Sequence, residues 1–282
     1  MKNNFLIISQ PRSGSTALIK LMLNRFDYDH PFIVNHKNEF LDVCSTFFPT
    51  NSSNGELVWD DQVDKFYEDW DWKSLNNYYK KNNFAENHIY YKPKLVNGKI
   101  EININNWQDH KLFTASSKKQ EQKRRINMLK KANPWIIKCL DYQISDYSWI
   151  NRSNTTVIAL YRADAVDSVA SWLRQRQTNT WHTTENITSQ TEIHPVGTLD
   201  NIKDNILSKR KFKNLLDSLD PDIIVTYEWM IESGSLDNSE LKKINQNHNM
   251  DYFIDYNSIR SYADKNNVYI KMKNPEQLWN YI

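Results

Sequence analysis

Residues 5–25 read FLIISQPRSGSTALIKLMLNR, and the break in the middle of this stretch decides the fold. A short apolar run, Phe5–Ser9, stops at Gln-Pro-Arg-Ser-Gly-Ser-Thr, and apolar residues at helical spacing resume at once. The pattern predicts a buried strand, a tight turn and a helix over Ser15–Arg25. A helix start leaves the amides of Ser13, Gly14, Ser15 and Thr16 without intrahelical acceptors, and the helix dipole adds partial positive charge there. Such a turn suits a phosphate. Arg12 adds a full charge at its rim. The plain alternative is a capped strand-to-helix connection with Ser as the cap. One cap is enough for a helix start, however, and this turn offers several. It is not a Walker-type loop, because no Lys precedes the Ser-Thr pair, and GxGxxG is absent as well.

A second stretch, residues 155–175, reads TTVIALYRADAVDSVASWLRQ. Its β-branched and aromatic content predicts a strand over Thr156–Tyr161, with Arg162 where the strand ends. Asp164 is placed to cap the following helix, and is read as a cap before a ligand. Ser168 and Ser171 share one face of that helix. An Arg at a strand end and a Ser about two turns into the next helix provide a planar fork and a short hydroxyl for a second phosphate.

Together these motifs resemble the sulfotransferases that use 3′-phosphoadenosine 5′-phosphosulfate (PAPS), nearest to the bacterial carbohydrate, trehalose-type, members. The resemblance implies that Arg12, Ser13, Gly14, Ser15 and Thr16 hold the 5′-phosphosulfate and that Arg162 with Ser171 holds the 3′-phosphate. The run Ser171–Thr178, followed by Trp181-His182, is similar to the family's SWxRAxQT…WH stretch. Asn38-Glu39-Phe40 resembles its PxEF segment, which implies Glu39 as general base. Ile136-Ile137-Lys138 is similar to its strand ending in Lys, and Thr226-Tyr227-Glu228 to its Tyr-Glu motif. Pro275–Ile282 resembles its closing helix, whereas the match is poor across 50–133. Two features depart from relatives of this class. No His follows Lys138, which leaves Glu39 as the base with His36 as the fallback. The spacing from Arg162 to Ser171 is one residue longer than the usual eukaryotic spacing, so Ser168 stays open as the alternative phosphate ligand.

The bulk composition sets the frame. A chain of 282 residues can bury one large core, and a net charge of +2 gives no global field for nucleic acid or an anionic membrane. Phosphate chemistry must therefore come from local clusters. The basic run 118–131 is read as a solvated helix face rather than a nucleic-acid patch. Cys44 and Cys139 fit neither a disulfide framework nor a metal spacing, and are read as reduced core residues of a cytoplasmic protein. Neither a signal-peptide layout nor a membrane-length apolar stretch is present in the sequence, and no metal is expected. The expected acceptor is a small molecule or glycan, and the oligomeric state is open.

The expected fold class is α/β, three-layered, with a central mostly parallel sheet, helices on both faces and a P-loop-like phosphate-binding turn after the first strand. One domain spans 1–282, with a variable insertion around 50–133 and a lid around 178–198. Further elements are a helix over Lys37–Phe48, a helical region over Leu57–Lys81, a hairpin turning at Asn97-Gly98 and a basic helix over Ser117–Lys131. A strand is expected over Pro134–Cys139, a helix over Tyr142–Asn151, a helix over Asp200–Leu219 and a strand over Ile223–Thr226, with mostly helix after it. Ligands of such sheets bind at the carboxyl ends of strands, where both motifs fall.

The expected chemistry is sulfuryl transfer from PAPS to an acceptor hydroxyl, leaving 3′,5′-ADP (PAP). Catalysis is assigned to Glu39, Arg12, Lys138 and the fallback His36, while Trp181 and His182 stack on a sugar or adenine ring or anchor the lid. Lys138 ends a buried strand and must meet either the ligand or an ion-pair partner, because an unpaired buried ammonium is costly. The competing readings are a non-catalytic nucleotide- or glycan-binding module and, further off, a small-molecule kinase.

Overall fold

The computed structural model describes residues 4–25, 40–41, 47–48, 77, 81, 89–106, 115–132, 134–143, 146–178, 194–234 and 250–282. The chain divides into two compact units, Met1–Asp27 with Ile136–Ile282, and Tyr28–Trp135. The region read as an insertion, 50–133, falls in the second unit.

The first unit is built on four parallel strands: β1 (Asn4–Ser9), β5 (Ile136–Leu140), β6 (Thr155–Tyr161) and β7 (Ile223–Thr226). Their order across the sheet is β5-β1-β6-β7. Ile7 lies opposite Lys138 on one side and Ile158 on the other. Every residue of these strands is buried, so both faces of the sheet are covered. This explains the unbroken apolar runs, which a half-exposed strand would interrupt with polar residues. Leu6, Ile7 and Ile8 are each fully buried and contribute roughly 1.5–3 kcal/mol apiece. The chain leaves β1 for β5 on one side and leaves β6 for β7 on the other. The strand order therefore reverses between β1 and β6, the point at which open parallel sheets of this kind take their ligands.

Helix α1 (Ser15–Arg25) packs on β1 and β5. Helix α3 (Ala165–Thr178), helix α4 (Leu199–Leu219) and helix α6 (Tyr256–Asn266) pack on one another. Their shared core holds Ala165, Val169, Leu173, Ile202, Ile206 and Ile259, joined by Tyr252 and Phe253. Gly197 sits where an added Cβ would lie 2.5 Å from Phe253 and 2.7 Å from Leu173, so this close approach requires glycine. Thr198 and Asn201 form a capping box that starts α4. The short helix α5 (Tyr227–Glu232) follows β7 directly, capped by the Thr226 hydroxyl. A 3-10 turn over Pro275–Asn280 stands where a closing helix is expected.

The second unit contains β2 (Phe47–Phe48), β3 (Ile89–Val96) and β4 (Lys99–Asn106), antiparallel in that order, and helix α2 (Ala115–Leu129). Asn97 at φ 50° and Gly98 at φ 80° both occupy the left-handed region, as a type I′ hairpin turn requires. Helix α2 is not wholly a solvated face. Arg125 is fully buried and donates to the Phe40 carbonyl at 2.8 Å, with its guanidinium 5.7 Å from the Phe40 ring.

Two helical expectations fail. Phe47–Phe48, placed at the end of a helix, is a strand paired with Ile89 and Tyr90. The described parts of 142–151 form turns, because local side chains capture the backbone: Gln143 accepts from the Leu140 amide at 2.7 Å and Asp146 from the Ser148 amide at 2.8 Å. Among the described residues no helix is long and apolar enough to cross a membrane.

Candidate functional site

The turn after β1 takes its shape from two left-handed residues, Arg12 at φ 63° and Gly14 at φ 81°. Glycine tolerates this conformation, whereas at Arg12 it is uncommon and strained. A Cβ on Gly14 would stand 2.6 Å from Cδ2 of Tyr227, so the Tyr227 ring packs directly on the turn. The Ser13 hydroxyl is buried and donates back to the Gln10 carbonyl at 2.7 Å, which closes the turn. The Gln10 amide extends the pairing of β1 with β6 by donating to the Leu160 carbonyl at 3.2 Å.

Three cations gather at this turn. From β5, the buried Lys138 donates to Thr16 Oγ1 at 3.2 Å. Arg12 itself donates through Nε to Ser171 Oγ on α3 at 3.2 Å. From the end of β6, Arg162 lays its guanidinium 4.6 Å over the Tyr227 ring. Burial, then the like charges of Arg162 and Arg174, bring the Arg12 guanidinium down to about 10, partly offset by Tyr227. It stays protonated at neutral pH, and the shift reflects burial first and the neighbouring cations second.

Arg162 is 8% exposed, and its Nε has no hydrogen-bond partner. The nearest carboxylate, Glu228 at the start of α5, stands 3.8 Å from that nitrogen. Glu228 is committed elsewhere, accepting from the amides of Ala163 at 2.9 Å and Asp164 at 3.4 Å. Asp164 caps α3 by accepting from the Asp167 amide at 3.0 Å and takes Arg260 at 2.5 Å. Burial alone would raise the Asp164 carboxyl, but these donors outweigh it and hold it below the usual range.

The two candidate serines diverge. Ser171 meets Arg12, whereas Ser168 accepts from Asn205 Nδ2 on α4 at 3.2 Å. Arg12, Ser13, Gly14, Ser15, Thr16, Lys138, Arg162 and Ser171 thus lie around the carboxyl ends of β5, β1 and β6. Glu39, His36, Trp181 and His182 lie outside the described residues, as does most of the expected lid.

Sequence reasoning missed the contribution of α4. Ser208 accepts from Gln10 Nε2 at 3.4 Å, and Lys209, fully buried, donates to the Ala163 carbonyl at 2.5 Å. The signal was present in the spacing, since Lys209 falls on the buried stripe of Ile202, Ile206, Phe212 and Leu216. Tyr227, noted in the sequence only for its place in a Tyr-Glu pair, touches both Gly14 and Arg162.

The described residues define an α/β protein with clustered cations at the switch point of a parallel sheet. No protein-family model matches the chain, and no curated protein matches it.

Proposed function

We propose that the chain is a sulfotransferase that moves a sulfuryl group from PAPS to a hydroxyl of a carbohydrate or glycolipid headgroup. One contact carries the reading: the hydrogen bond from Arg12 Nε to Ser171 Oγ at 3.2 Å. It joins two segments whose sequences point to two different phosphates. The donor carries both of those groups on one ribose, so the two grips must lie side by side. The buried Nε of Arg162, which has Glu228 at 3.8 Å but no hydrogen-bond acceptor, supports the reading further, because an anion would supply one.

In this P-loop-like turn the amides of Ser13–Thr16 and the Arg12 guanidinium stabilise charge building on the 5′-phosphate as its bond to sulfur breaks. Arg162 and Ser171 hold the 3′-phosphate. Lys138, against Thr16, adds charge beside the transferring group. The acceptor oxygen attacks sulfur in line, and Glu39, assigned by resemblance, takes its proton. Positioning and charge stabilisation do most of the work, as in phosphoryl transfer. Trp181 and His182 are assigned to stacking on the acceptor.

Calorimetry with 3′,5′-ADP, beside ATP and GTP, tests the donor site. A labelled-sulfate transfer screen over glycans and hydroxylated metabolites then tests the reaction. Preference for ATP would sink the donor assignment, while binding of 3′,5′-ADP without transfer to any acceptor would favour the non-catalytic module.

A further inference from the structure

Lys209 is fully buried, yet the proposed chemistry gives it no task. Among the described residues its ammonium has one hydrogen-bond acceptor, the Ala163 carbonyl at 2.5 Å. An ammonium has three donors, and burying one so sparsely partnered is costly. Ala163 follows Arg162 directly, so Lys209 grips the very turn that aims the guanidinium. Glu228 holds the same turn through the amides of Ala163 and Asp164. Arg260 ties it from α6 through Asp164.

The charges facing Lys209 come from the turn between β6 and α3, the first turn of α3 and the start of α5. Burial pulls it down to about 8, against Asp164, Glu228 and Asp167, which favour the ammonium, and with Arg162, which opposes it. Glu228 is therefore a carboxylate whose field is shared between Lys209, two amides and Arg162. With an uncharged residue at 209, that field would fall more fully on Arg162, whose Nε is 3.8 Å away.

We propose that Lys209 is a positioning residue for Arg162: by holding the Ala163 carbonyl and offsetting the Glu228 carboxylate, it leaves the Arg162 guanidinium to an incoming anion. The inference rests on the reading that Arg162 grips an anionic group of the nucleotide. It carries a second consequence. An anion arriving beside Arg162 also stabilises the Lys209 ammonium, so binding at mildly alkaline pH draws a proton onto the protein.

The test is calorimetry with 3′,5′-ADP at about pH 8, in buffers of different ionisation enthalpy, on wild type, K209Q, E228Q and K209Q/E228Q, each checked by thermal melting. Wild type is expected to take up a fraction of a proton on binding. K209Q, which keeps an N–H for the Ala163 carbonyl, is expected to bind roughly tenfold more weakly and to take up none, and adding E228Q should restore most of the affinity. Should K209Q fail to fold, E228Q alone decides, since removing a carboxylate that favours the Lys209 ammonium should move the fall in affinity to lower pH. A folded K209Q with wild-type affinity and proton uptake overturns the inference, as does a double variant no better than K209Q or an E228Q with unchanged pH dependence. Wild type that binds no 3′,5′-ADP brings down the reading of Arg162 and this inference together. Wild type and K209Q binding equally well brings down the inference alone.

Discussion

Arg12 and Ser171 stand 159 positions apart in the chain and meet at 3.2 Å. The contact exists because β1 and β6 are neighbours, with Ser9 opposite Leu160 at their carboxyl ends. It separates the two serine candidates. Ser171→Ala should weaken 3′,5′-ADP binding about ten- to a hundredfold, the cost of one charge-assisted hydrogen bond. Ser168→Ala removes the acceptor for Asn205 and should mainly lower stability, by about 1 kcal/mol, with affinity little changed. Calorimetry and denaturant titration on both variants check this, and the reverse ranking would reassign the phosphate ligand.

Gly14→Ala tests the turn itself. The position combines φ 81° with a Cβ site 2.6 Å from the Tyr227 ring. Strain and overpacking together should cost about 2–4 kcal/mol and displace Tyr227 from beneath Arg162. A fall in melting temperature accompanied by loss of 3′,5′-ADP affinity is the expected result. A variant with both properties intact would mean that the turn is far more plastic than its geometry implies.

Turnover and donor binding should separate at Glu39 and coincide at Arg12. Glu39→Ala is expected to lower sulfuryl transfer by about a hundredfold or more while leaving 3′,5′-ADP affinity unchanged. Arg12→Ala should lose both, because in the proposed reaction the same guanidinium serves ground state and transition state. Single-turnover transfer and calorimetry on each variant decide. Full-rate transfer by Glu39→Ala would move the proton acceptor elsewhere, with His36→Ala the next variant to assay.

Asp141, at the carboxyl end of β5, gives a pH dependence of stability. Burial pushes its carboxyl up to about 6, against the amides of Tyr142 and of Asp141 itself. The folded state thus favours the protonated form. That contribution is complete below the ordinary carboxylate pKa near 3.9 and is lost as pH rises through about 6. Asp141→Asn should therefore be more stable than wild type at neutral pH by roughly 1–2 kcal/mol, with the gain vanishing near pH 4. Denaturant midpoints across that range provide the measurement. A gain that persists unchanged at low pH would rule out titration of Asp141 as its source.

The alternation of strands and helices was legible because parallel strands covered on both faces must be apolar throughout, as Phe5–Ile8 and Val157–Leu160 are. Asn97-Gly98 announced its hairpin for an equally local reason, the demand for two left-handed residues. What the sequence hid is what depends on distant partners. Arg12 and Ser171 were each singled out, but their meeting depends on strand order, which no local pattern encodes. Lys209 lies in the run Lys209-Arg210-Lys211-Phe212-Lys213, where charge suggests solvent, and only its register with Ile202 and Ile206 betrays burial. Arg125 is concealed in the same way among Lys123, Arg124 and Lys130. In 142–151 the failure was one of competition, since Asp146 and Gln143 satisfy the backbone locally and remove the reason to coil.

The last helix of the sheet-bearing unit is wedged into α3 and α4 by Tyr252, Phe253, Ile259 and Ala263, and is pinned there by Arg260 on Asp164. Arg260→Ala should therefore loosen this corner first, opening the amides of Ile259 and Ala263 to hydrogen exchange before those of β1 and β6.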